Sequence, residues 1–138
     1  MSTHLFGIAD RTFAYSHSVG RNEYGGTGFR NPVDVAVAVD GTAYVVNRSW
    51  EGRPDGLRIT VLTLEEEYIT EFASYGDGDG QFVWPSSIAL DDENNVYVAD
   101  EWLNRITIFN KDGEFLGKWG KLGTGDGQLN RPAGIAIK

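Results

Sequence analysis

Residues 82–129, FVWPSSIALDDENNVYVADEWLNRITIFNKDGEFLGKWGKLGTGDGQL, decide how the chain is read. Four short apolar runs sit in this stretch: 87–90 (SIAL), 96–99 (VYVA), 106–109 (ITIF) and 115–119 (FLGKW). Polar turn residues separate them: DDENN at 91–95, DEWLNR at 100–105 and NKDG at 110–113. β-Branched and aromatic runs punctuated by Asn, Asp and Gly read as strands joined by hairpins. Four antiparallel strands in so short a stretch make one compact sheet, the unit of a repeating all-β architecture.

The same unit occurs upstream. Pro32 corresponds to Pro85 at a spacing of 85 − 32 = 53, and Tyr44 to Tyr97 and Asn47 to Asp100 at the same spacing. Arg58-Ile59-Thr60-Val61 then matches Arg105-Ile106-Thr107-Ile108 at 105 − 58 = 47. The first unit therefore carries 53 − 47 = 6 extra residues between Asn47 and Arg58. The shorter spacing persists through Gly76 and Gly123, Gln81 and Gln128, and Pro85 and Pro132. A third copy starts at Pro132 and supplies one strand's worth of chain. Ala36, Ala89 and Ala136 recur in register in the first strand of each copy, as expected where innermost strands crowd toward a propeller axis. Upstream, residues 12–18 alternate as a strand, 5–9 form a weaker one, and the Gly-rich 21–28 leads into the first unit. The expected divisions are 1–28 (outer strands and connection), 29–81 (a blade), 82–128 (a blade) and 129–138 (an inner strand).

Composition bounds the function. The chain has 138 residues, one domain's worth, and 41% are hydrophobic, enough to build a core. There is no cysteine, so no disulfide staples the fold, which fits a reducing compartment. The first residues lack the basic start and apolar run of a signal peptide, and no run is long enough to span a membrane. A soluble, cytoplasmic protein is expected. The formal net charge is −8, whereas nucleic-acid binders carry a basic face, so nucleic acid is not the expected partner.

These residues resemble the NHL-repeat family of six-bladed β-propellers. The resemblance rests on G-x-G-x-G-Q-F/L-x-x-P at 76–85 and 123–132, VYVAD at 96–100, NRITIF at 104–109 and DGEFLGKWG at 112–120. The first copy departs from it in having Asn47 for Asp and in its insertion. The resemblance implies an all-β NHL-type propeller, with two full four-stranded blades plus strands of a shared hybrid blade. A whole ring of this family needs about twice this length. The resemblance and the complementary ends together lead to the expectation of a homodimer: the last strand of one copy would pair with the first strands of the other.

By the same resemblance, one face would present the loops between second and third strands and those leading into each inner strand. It would gather Arg48, Trp50 and Arg53 from the insertion, Glu101 and Trp102 from the second blade, and Asn31, Trp84 and Arg131 beside the prolines. Three of the four tryptophans fall there, and two readings stand: a protein or small-molecule ligand surface, or packing over the blade tops. Asp34 and its counterpart Ser87 would lie near the channel mouth, which makes Asp34 the candidate metal ligand, against a solvated or paired carboxylate. Asp77-Gly78-Asp79-Gly80 lacks the terminal Glu of a calcium loop, and its glycines are expected to serve turns. Asp100 and Arg105 are expected to hold the loop between their strands. Trp119, in register with Phe72, is expected to pack. Nucleophilic catalysis has no support: His4 and His17 are the only histidines and lie in the N-terminal region. The expected function is a non-enzymatic binding or scaffold module with no cofactor, the alternative a metal-dependent hydrolase or lyase at the channel mouth.

Overall fold

The computed structural model of the chain describes residues 5–8, 11–50 and 52–138. His4 and Glu51 lie outside the described residues, as does the end of the expected strand at 5–9. Strands β1 (Leu5–Ile8) and β2 (Arg11–Ala14) form an antiparallel hairpin with Leu5 opposite Ala14. The first blade follows as β3 (Pro32–Val37), β4 (Thr42–Asn47), β5 (Arg58–Thr63) and β6 (Tyr68–Phe72), in that spatial order. Short β7 (Ser74–Tyr75) and β8 (Gln81–Phe82) pair in parallel and close the Gly-rich connection. The second blade is β9 (Pro85–Leu90), β10 (Val96–Asp100), β11 (Arg105–Phe109) and β12 (Phe115–Trp119), again in spatial order. A 3-10 turn, Pro54–Gly56, lies in the insertion. Among the described residues, no helix is long and apolar enough to cross a membrane.

The turns form for local reasons. Asp91 Oδ1 accepts the N–H groups of Glu93 and Asn95, both at 2.9 Å, and so bends the chain between β9 and β10. Asn110 Oδ1 does the same for Asp112 and Glu114 between β11 and β12. The Gly-rich connection is a backbone device, as expected. Gly80 has φ 71° and Gly127 φ 70°, and the side chains of Gln81 and Gln128 each accept an N–H inside their own loop, from Gly78 and Gly125.

The core lies between the two blades. Val46, Ile59 and Val61 of the first blade meet Phe82, Ile88, Val96, Val98 and Phe109. Each such side chain, fully buried, contributes roughly 1.5–3 kcal/mol. Phe109 is the aromatic centre, with Phe72 at 4.9 Å and Phe82 at 5.9 Å between ring centroids. A smaller cluster, Ala43, Val45 and Leu62 with Phe29, covers the other face of the first blade.

Asp100 and Arg105 hold their loops, but not by pairing with each other. Asp100, fully buried, accepts four backbone N–H groups, from Val83, Trp84, Trp102 and Leu103. Asn47, one repeat earlier, accepts Arg30 N–H at 2.8 Å, so its amide oxygen does part of the same work. Arg105 donates to the carbonyls of Asp77, Gly78 and Gln81. Arg58 binds Gly28 and Gly56 carbonyls in the first blade, with Glu71 Oε2 at 3.1 Å as its ion-pair partner.

The inner strand expected over 129–138 is one that pairs with a second copy; in the single chain residues 132–138 are in no sheet and lie beside β9, with Ile135 N–H on Ser87 Oγ at 3.2 Å. A strand needs a paired neighbour, and none of the described residues supplies one. Ala136 is for the same reason exposed, unlike Ala36, which packs against the core. Trp119 is 49% exposed. Its counterpart Phe72 rests on Phe109 of the following blade, and among the described residues no ring pairs with Trp119 in that way. The insertion is exposed at Trp50, Gly52, Arg53 and Asp55 but anchored at its root. There Ser49 is buried, and Arg48 and Ser49 donate their N–H groups to Asn31 and Arg30.

Candidate functional site

A pocket of about 440 Å³ opens between the two blades on the face that carries the insertion. Trp50 comes from the insertion, Trp84 from the residue before Pro85, and Trp102 from the turn between β10 and β11. Tyr75 closes the ring of aromatics from β7, and Leu57, Pro54 and Val83 form the apolar wall. Trp50 is 58%, Trp102 71% and Tyr75 52% exposed, so their faces are open to a ligand. Three ionic side chains complete it: Arg48, Arg131 and Glu101.

Arg48 is fixed before any ligand arrives. Its Nε and Nη2 donate to Pro85 O at 3.0 and 2.9 Å, and its guanidinium carbon sits 4.4 Å from the centroid of the Trp84 ring. It reaches from the first blade to the second, so it both fastens the seam and lines the pocket. Burial pushes its pKa below the usual arginine value, against the pull of Glu101 and Asp100, and the group stays charged. Arg131 Nη2 lies 3.4 Å from Glu101 Oε1, a loose ion pair at the rim. The Arg131 backbone has φ 50°, in the left-handed region, and its N–H is held by Asn104 Oδ1 at 2.7 Å.

Of the residues expected at the site, Arg48, Trp50, Trp84, Glu101, Trp102 and Arg131 thus come together. Arg53 stands apart. It forks onto Asp55 at 3.3–3.4 Å and lies 5.2 Å from the Tyr24 ring centroid. Asp34 and Ser87 are on the seam between inner strands. Asp34 Oδ2 accepts Ser87 Oγ–H at 2.8 Å and Ile88 N–H at 2.9 Å, while Oδ1 accepts Val35 N–H. Among the described residues no three His, Cys, Asp or Glu side chains gather into a metal site. His17 bonds the Leu64 carbonyl through Nε2 at 2.7 Å, which makes that nitrogen the protonated one.

Sequence reasoning missed Tyr75, Leu57 and Val83. Tyr75 precedes Gly76 of the glycine motif, so its place at the blade top follows from the motif's. Leu57 is apolar just ahead of Arg58, and only the fold shows that it lines the pocket.

A family model for the NHL repeat matches residues 82–109. Residues 82–109 are an NHL repeat. That segment contains β8, β9, β10 and β11, with Trp84 and Trp102 both inside it. Solved structures similar to the chain include Kuenenia stuttgartiensis hydrazine synthase, with a TM-score of 0.58 and 16% identity over 85% of this chain and 29% of that one. A putative exported protein of Bacteroides fragilis NCTC 9343 gives 0.55 and 14% identity, over 73% of this chain and 27% of that one. Citrobacter koseri AztD gives 0.53 and 15% identity, over 94% and 30% respectively. At these identities the likeness is one of fold, an all-β propeller, and this chain spans under a third of each neighbour's length. No curated protein matches the chain.

Proposed function

We propose that the chain is a non-enzymatic binding and scaffold module that completes a six-bladed ring by pairing with a second copy of itself. One observation carries the assembly. Residues 132–138 are already seated on β9 much as β9 is seated on β3. Ser86 Oγ donates to Pro132 O at 2.9 Å and Ser87 Oγ accepts Ile135 N–H, as Asp34 accepts Ile88 N–H one blade earlier. The segment needs only strands on its outer side, and the β1–β2 hairpin of a second copy offers two. Each copy would contribute two whole blades and share two hybrid ones of three strands.

The apolar surface at both ends supports the same reading. Val35 and Val37 are 52% and 51% exposed at one end, and Leu116, Trp119 and Leu122 are exposed at the other. Open blade faces of this kind are an aggregation liability unless covered. The binding part of the reading rests on the aromatic pocket. Asp34, which a metal-dependent hydrolase or lyase would need as a ligand, spends its oxygens on the seam. Removing residues 133–138 tests the assembly: a truncated chain that still forms the same dimer as the intact one rules out strand exchange by that segment.

A further inference from the structure

We infer that the pocket between the blades takes a small planar organic anion, an aromatic carboxylate. Its ring would lie among Trp50, Trp84 and Trp102, and its charge at Arg48 and Arg131. The inference rests on the binding-module reading and names the ligand class. Volume comes first: 440 Å³ lies within the usual range for small-molecule sites, about 300–1,000 Å³, and the wall is apolar and aromatic. A flat ligand is favoured because the exposed faces are flat, and rings stack offset or edge-on to indoles.

The polar groups decide the charge. Indole and guanidinium are donors only, and neither accepts a hydrogen bond. Three indoles and two guanidiniums line the pocket, against one carboxylate, Glu101, already facing Arg131, and the Tyr75 hydroxyl, which can donate or accept. The site is therefore rich in donors and poor in acceptors, and its ionic side chains sum to a positive charge within a chain of net charge −8. A neutral polyol needs acceptors for its own hydroxyls; a carboxylate needs only donors. Arg48 is also preorganised. Its Nε and Nη2 are held by Pro85 O, and among the described residues Nη1 has no such bond, so one edge is left for an anion without reorganisation. The insertion supplies Trp50, Pro54 and the approach to Leu57, so the pocket is specific to this pair of blades.

The test is a titration with 2-naphthoate, followed on the indole N–H signals of the ¹⁵N-labelled chain. Trp119, on β12 outside the pocket, is the internal reference. The indoles of Trp50, Trp84 and Trp102 are expected to move on one saturable curve while Trp119 stays. Arg131→Gln and Trp50→Ala, both at exposed positions, are expected to weaken binding about tenfold or more, as is the neutral alcohol 2-naphthalenemethanol in place of the acid. No saturable shift, a parallel shift of Trp119, or equal binding of acid and alcohol would overturn the inference. The pocket lies within one chain, so a dimer that ignores 2-naphthoate removes the ligand class and leaves the assembly standing.

Discussion

Asp34 and Ser87 join the inner strands of consecutive blades: the Asp34 carboxylate accepts the Ser87 hydroxyl at 2.8 Å and, through the same oxygen, Ile88 N–H at 2.9 Å. Ser87 in turn accepts Ile135 N–H, so the contact runs from blade to blade. Asp34→Ala leaves two partly buried donors without their acceptor. A loss of about 1–3 kcal/mol is expected, with Asp34→Asn milder. Urea denaturation of the three proteins measures it, and an unchanged midpoint in Asp34→Ala would show that the seam does not depend on this carboxylate.

Asp100 is fully buried and accepts four backbone N–H groups, whereas Asn47 accepts one through its side chain. Asp100→Ala is expected to cost about 3 kcal/mol or more, because several donors lose their partner together. Asp100→Asn is expected to fall between the two, since one amide oxygen replaces two carboxylate oxygens. Thermal unfolding ranks them; equal midpoints for Asp100→Ala and the parent would contradict the assignment.

Turn carboxylates contribute to the acid limit. Burial raises Asp91, but bonds from Asn95, Glu93 N–H and Tyr97 outweigh it and hold the group below the ordinary value. The Thr42 N–H holds Asp40 low in the first blade. Carboxylates lowered in the folded state add stability that is fully present above their unfolded value of about 3.9 and is lost as pH falls through the folded value. The melting temperature is expected to stay level from pH 7 to about 5 and to drop below about 4. Asp91→Asn should start lower at neutral pH and fall less steeply; an identical slope in parent and variant would remove Asp91 from the cause.

Deleting residues 50–55 gives the first blade the loop length of the second. The root contacts of Arg48 and Ser49 with Asn31 and Arg30 are outside the deletion. The shortened chain is expected to fold with a melting temperature lowered by a few degrees, since closing a shorter loop costs little, and to lose the pocket. Circular dichroism and indole N–H signals follow both. Failure to fold would place the insertion in the core.

The repeat was legible because it is written in residues that hold the backbone. Asp100, Arg105 and Gln81 each recur or have a close substitute at fixed spacing, and each proves to position a turn or a loop. The tryptophan cluster was legible once the resemblance gave those loops a common face. Asp34 was not, because its partner lies 53 residues away in the next blade and a solvated carboxylate has the same sequence pattern. Trp119 misled for a related reason. Its side chain is of the packing type, but packing needs a neighbour that the repeat pattern cannot supply. Residues 133–137 carry the pattern of a strand and are not one here, since pairing belongs to two segments and not to either.

The solution mass of the intact chain tests the ring most directly. Light scattering after gel filtration is expected to give twice the 15.2 kDa chain mass, unchanged on dilution through the micromolar range. A well-folded monomer of 15.2 kDa, with a cooperative melt and no tendency to associate, would contradict ring completion by a second copy.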